Sequence, residues 1–171
     1  EKIFQIAASM EGHADNVAPA IFGGFQIVIK DENKFISTKT LIPPNLKAVV
    51  FIPDVSMPTD EAREILSPEI SREDAVFNIG RVALLVNSLS NGNLDDLVHA
   101  TKDRLHQPAR EQIFPAMKYV FRAATNAGAL GVFLSGGGSS VLALANNRFM
   151  TIGYEMADAA DKIGITGNVI V

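Results

Sequence analysis

The chain has 171 residues, 47% of them apolar and 20% charged, enough to bury a core of one domain or slightly more. Fifteen basic against nineteen acidic residues leave a net charge of −4 with no long run of like charge, which argues against nucleic acid as a partner. No apolar segment nears the roughly 18 residues of a membrane span, and the absence of cysteine excludes disulfides and thiolate metal sites and fits a reducing, cytoplasmic setting.

The opening "EKIFQIAASMEG" has neither an initiator methionine nor a signal-peptide pattern. Ile3, Phe4 and Ile6 are expected on an already buried face, so the chain reads as a piece of something longer. Residues 24–30, "GFQIVIK", and 47–53, "KAVVFIP", are short β-branched or aromatic runs bounded by turn residues and read as strands. The segment between them reads as a turn, an edge strand and a proline-rich connection. "TDEAREIL" starts with a threonine cap and two acids and reads as a short helix. Ser71 and Asp74 form a loose capping box ahead of a long helix, expected to be well buried through Val76, Phe77, Ile79, Val82, Ala83 and Val86. A third helix, capped by Asn93, is expected to end at Pro108. A fourth is expected from Ala109 to a stop at Gly128, burying Ile113, Met117, Val120, Phe121 and Ala124. "LGVFLSGGGSSVLALA" reads as strand, tight loop, strand, and a helix over 150–163 leads to a terminal strand "NVIV". This order predicts an α+β fold, a largely antiparallel sheet on a split β-α-β plan with helices on one face.

Two stretches carry chemistry. In "EGHADN", alternate residues of an extended segment share a side, so Glu11, His13 and Asp15 could line a cleft, hold Mg²⁺ or move a proton. The alternative is that Asp15 or Asn16 caps a helix through "VAPAIF" and His13 is merely exposed. In "SGGGSSV", Gly136, Gly137 and Gly138 can turn backbone N–H groups toward an anion, with Ser135, Ser139 and Ser140 adding hydroxyls. A plain hairpin turn is the simpler competing reading, since neither the dinucleotide fingerprint nor a P-loop is present. Arg63 and Arg110 stand where a guanidinium can project into a cleft and fork onto a carboxylate or phosphate, although most arginines are solvated. His99 and His106, seven apart, do not suit a metal pair and read as surface histidines.

"EGHADNVAPAIFGGF" resembles the signature that follows the ATP-binding helix in the homoserine kinases, a branch of the GHMP small-molecule kinases. "LSGGGSSVLAL" is similar to that superfamily's third motif, Ser-Gly-x-Gly-Pro-Thr, and residues 58–67 and 107–115 also have counterparts there. The resemblance runs through the whole chain. It implies a ferredoxin-like C-terminal domain over 47–171, preceded over 1–46 by the tail end of the N-terminal, ATP-binding domain. It implies ATP-dependent phosphorylation of the L-homoserine side-chain hydroxyl, with ATP and Mg²⁺ as cofactors. His13, Asp15 and Asn16 would lie at the homoserine site, Arg63 and Arg110 would hold its α-carboxylate, and the loop from Ser135 to Ser140 would lie near the phosphates. Glu11 is the substitute metal ligand, because some relatives carry their glutamate where this chain has Gln5. No residue is assigned as a general base. The second motif, a glycine-serine loop, is missing, and Ser139-Ser140 replaces the usual Pro-Thr. This chain alone is therefore expected to bind homoserine feebly and turn nothing over. The setting is cytoplasmic, or the plastid stroma in a plant or alga, and a homodimer is left open. The competing readings are another hydroxyl kinase of the superfamily, such as a mevalonate-type enzyme, and a non-catalytic amino-acid-binding module.

Overall fold

The computed structural model describes residues 2–55, 57, 62 and 64–171. The chain divides into two compact units, Glu1–Pro43 with Leu89–Gly92, and Pro44–Ser88 with Asn93–Val171. In the first unit, α1 (Lys2–Glu11) and α2 (Val17–Phe22) are followed by the hairpin of β1 (Phe25–Asp31) and β2 (Lys34–Thr40). The strands pair antiparallel from Phe25↔Thr40 to Asp31↔Lys34 around a two-residue turn, in which Glu32 takes the left-handed backbone such a turn favours. Val28 and Phe35 pack with Phe4, Ala8, Ala14, Val17 and Ala18. Ile3 and Ile6 depart from expectation. The helical period turns Phe4 and Ala8 inward together, which leaves Ile3 74% and Ile6 61% exposed.

In the second unit, β3 (Lys47–Pro53) lies inside a four-stranded antiparallel sheet of order β4-β5-β3-β6. The other strands of that sheet are β4 (Gly131–Leu134), β5 (Val141–Ala145) and β6 (Gly167–Ile170). The helices are α3 (Arg72–Asn91, this unit up to Ser88), α4 (Leu97–Ala100), α5 (Gln107–Arg110), α6 (Met117–Ala127) and α7 (Phe149–Asp161). With helices between β3 and β4 and between β5 and β6, this is the ferredoxin-like split β-α-β plan. Alternation sets the core: Val49 and Phe51 on β3, and Val141, Ala143 and Ala145 on β5, all face inward. Met117, Val120 and Ala124 of α6, and Ile152, Met156 and Ala160 of α7, pack with them. Gly128, φ 108°, stops α6 in the expected left-handed cap.

Three helical expectations change. The long helix exists, and Ser71 caps it by accepting from the Asp74 N–H at 3.0 Å, but Val76, Ile79 and Val82 are 60 to 69% exposed. What fixes its orientation is polar: Asn78 donates to Asp103 and accepts from the Arg104 N–H, and the Arg104 guanidinium lies over the Phe77 ring. Pro108 does not end a helix. It sits in the first turn of α5, where a missing N–H is harmless. The run from Asn93 breaks because the Asp103 carboxylate accepts from the N–H groups of Leu105, His106 and Gln107 and captures the chain there. The fourth helix accordingly begins at Met117, with Ile113 outside it. The helix expected over 59–66 falls largely outside the described residues. Among the described residues no helix is long and apolar enough to cross a membrane.

Candidate active site

The polar cluster of the first unit forms, though without an extended segment. α1 ends at Glu11, Gly12 turns the chain at φ 84°, and His13 is set between two carboxylates. Its Nδ1 lies 2.6 Å from Asp15 Oδ1 and its Nε2 3.7 Å from Glu11 Oε1. The first approach is close enough for an ion pair but does not have the direction of a hydrogen bond. Asn16 precedes α2 yet makes no side-chain cap bond, and its side chain is exposed. The helix through "VAPAIF" is therefore present without the capping role that would have explained this asparagine.

Gln5 has a different job from the glutamate that some relatives carry there. Its Nε2 donates to the Phe35 carbonyl at 2.6 Å and its Oε1 accepts from the Phe35 N–H at 3.0 Å. One amide thus closes both backbone groups of a residue on β2, a strand paired on one side only. Gln5→Leu is expected to lower stability by about 1 to 3 kcal/mol, the loss of two part-buried hydrogen bonds. Urea unfolding and faster exchange of the Phe35 amide would show it; an unchanged midpoint would remove the clamp.

In the second unit, the glycine loop 135–140 joins β4 to β5. The Ser135 N–H donates to the Ser140 carbonyl at 2.9 Å and the Gly138 N–H to the Ser135 carbonyl at 3.1 Å. Gly136 and Gly138 have φ of 58° and 88°, and a Cβ on Gly138 would stand 2.8 Å from Met57 Cε. The positive φ is what disfavours a side chain there, since the Met57 methyl could swing aside. The Ser139 hydroxyl is engaged by the Val55 carbonyl at 2.6 Å and anchors the loop. The N–H groups of Gly136 and Gly137 have no acceptor among the described residues, and nothing stands within 4 Å of where their Cβ atoms would be. These open donors suit an anion such as a nucleotide phosphate.

Arg110 is brought to this loop. Its side chain is buried, Nη1 donates to the Gly136 carbonyl at 3.3 Å, and Nε donates to the Ala62 carbonyl at 3.3 Å. Nη1 also lies 2.7 Å from His106 Nδ1. Burial lowers the Arg110 pKa while the nearby Asp103 charge opposes this. Burial also pushes the Asp103 carboxyl up, but the Gln107 N–H, the Asn78 amide, the His106 N–H and the His106 charge together hold it below its ordinary value. Gln107 completes the arrangement by accepting from the Leu134 N–H at 2.8 Å, which ties α5 to the end of β4. Sequence reasoning missed Asp103, His106 and Gln107 as site supports. The i, i+4 spacing of His106 and Arg110 across a proline-started turn was the available signal. Arg63 lies outside the described residues.

Magnesium finds no cage here. Glu11 and Asp15 both face His13, and among the described residues no three acidic or histidine side chains converge to hold a metal.

Residues 82–149 match the family described as GHMP kinases C terminal. The matched span includes Asp103, His106, Arg110 and the glycine loop. The homoserine kinase of Caldicellulosiruptor bescii is 39% identical over 168 residues, covering 98% of this chain and 55% of that protein. That of Caldicellulosiruptor saccharolyticus is 44% identical over 149 residues, 87% of this chain and 48% of that protein. The chain spans about half the length of these curated relatives. Among solved structures, the homoserine kinase of Cytophaga hutchinsonii superposes with a TM-score of 0.88 at 35% identity, over 92% of this chain and 50% of that one. The mevalonate kinase of L. major shares the fold at a TM-score of 0.69 and 18% identity, over 92% of this chain and 52% of that one.

Proposed function

We propose that the full-length protein is a homoserine kinase, transferring a phosphoryl group from ATP to the side-chain hydroxyl of L-homoserine to give O-phospho-L-homoserine on the route to threonine. Residues 1–46 then close its N-terminal, ATP-binding domain and 47–171 are its C-terminal domain, acting in the cytoplasm. The observation that carries this reading is Arg110: a buried guanidinium that hydrogen-bonds two backbone carbonyls and the His106 ring and, among the described residues, forms no ion pair with a carboxylate. A buried cation in that condition calls for an anion, and the fork of a guanidinium fits a carboxylate. The α-carboxylate of homoserine meets that need. The names of the relatives support the same acceptor.

Arg110, together with Arg63, holds the carboxylate, while His13, Asp15 and Asn16 receive the polar remainder of the amino acid. The Gly136 and Gly137 N–H groups, with Ser135 and Ser140, hold nucleotide phosphate, and Ser139 fixes the loop that presents them. When bound, the nucleotide supplies the transferred group. The chain's own contribution is positioning and charge stabilisation, which dominate phosphoryl transfer. The test is ADP release by the full-length protein with ATP and Mg²⁺, offering L-homoserine or mevalonate. Turnover that depends on homoserine is expected. Turnover with mevalonate instead would reassign the acceptor, and none with either would leave an amino-acid-binding module.

A further inference from the structure

The Arg110 guanidinium has one partner that can change its state. His106 Nδ1 lies 2.7 Å from Arg110 Nη1, and an arginine nitrogen can only donate, so Nδ1 must offer a lone pair. On the other side of the ring, Nε2 faces Asp103 Oδ2 at 3.9 Å. The Asp103 carboxylate is itself fixed by the N–H groups of His106 and Gln107 and by the Asn78 amide, and its side chain is 8% exposed. A fixed carboxylate beside Nε2 favours the tautomer with its proton there, leaving Nδ1 open to Arg110. Among the described residues, Asp103 and Arg110 are the charged groups that face this ring.

We propose that His106, neutral and protonated on Nε2, is the positioning residue that aims the Arg110 guanidinium, and that protonation of its Nδ1 releases that aim. An imidazolium cannot accept, so the Arg110 contact would become donor against donor and cation against cation. The guanidinium would then leave its place behind Gly136. Burial lowers the His106 pKa, the Asp103 charge opposes this and the Arg110 charge adds to it, with the net result below the ordinary histidine value. The neutral form is therefore held above that lowered value, and the device releases only as pH falls through it.

The effect on acceptor binding rests on the homoserine kinase reading, whereas the contact itself does not, and the experiment separates them. In the full-length protein, nitrogen NMR of the imidazoles is expected to show His106 with Nε2 protonated and Nδ1 bare at neutral pH. The Arg110 Nε–H signal should shift on acidification with the His106 midpoint in the wild type and lose that dependence in His106→Asn, whose amide oxygen can replace Nδ1 as acceptor. In the kinase assay, His106→Leu should raise KM for homoserine roughly tenfold, the scale of one hydrogen bond to a charged group, with a smaller change in kcat. His106→Asn should keep KM within about threefold of wild type and lose the acidic rise in KM. An Nδ1–H tautomer, or an Arg110 signal indifferent to His106, overturns the proposal whether or not homoserine is phosphorylated. If the NMR behaves as expected while homoserine gives no ADP, the positioning contact stands and the assignment of the acceptor falls.

Discussion

Arg110→Ala is expected to lower kcat/KM for L-homoserine in the full-length protein by about 10- to 150-fold, the 1.5 to 3 kcal/mol carried by a hydrogen bond to a charged group. The loss should appear mainly as a higher KM for homoserine, since a carboxylate held alike in ground and transition states contributes uniform binding. A smaller rise in KM for ATP should accompany it, because the guanidinium also supports the Gly136 carbonyl and hence the loop carrying the open N–H groups. Arg110→Lys keeps the charge but not the fork, and Lys cannot serve the Gly136 and Ala62 carbonyls and an anion with the same geometry. It should recover only part of the loss. Unchanged kinetics in Arg110→Ala would end the carboxylate assignment.

Phe51→Ala is expected to cost about 3 to 5 kcal/mol of stability, the range for emptying a buried aromatic position. Phe51 is 1% exposed on a strand with neighbours on both sides, and its ring passes so close to Gly167 that any side chain there would collide with it. The cavity would therefore open beside Gly167, between β3, β6 and α7. Ile52, next in sequence, points to the other face and is 37% exposed, so Ile52→Ala should cost only about 1 kcal/mol. Urea midpoints of the two variants would measure the difference, and equal losses would contradict the facing of β3.

The fold was legible wherever a period of two or of 3.6 met a clear boundary. "KAVVFIP" alternates and is a strand, and the order of elements predicts the antiparallel split β-α-β sheet that forms, though not that β1 and β2 make a sheet of their own. Periodicity gave the long helix but not its facing. Val76, Ile79 and Val82 look like a core stripe, yet the helix is oriented by Asn78 and Phe77 against 103–104, contacts that no hydropathy pattern encodes. The site was legible as residue types: a histidine between acids, an arginine after a proline, a glycine triplet. Its supports were not. Asp103 competes with helix by holding three successive N–H groups, and His106 gains its meaning from a partner one turn away rather than from spacing to another histidine.

The strand order also bears on how the second unit is made. β3 precedes every other strand of its sheet in the chain, but its two neighbours are β5 and β6, both synthesised much later, with Val50 beside Leu142 on one side and Ile170 on the other. While the chain emerges from the ribosome, β3 therefore waits with both edges and its apolar inner face uncovered. Closure depends on contacts between residues far apart in sequence, the slowest kind to form. The β3 segment is thus the stretch most in need of protection during translation, and premature termination anywhere before Gly167 would leave one of its edges open to other chains.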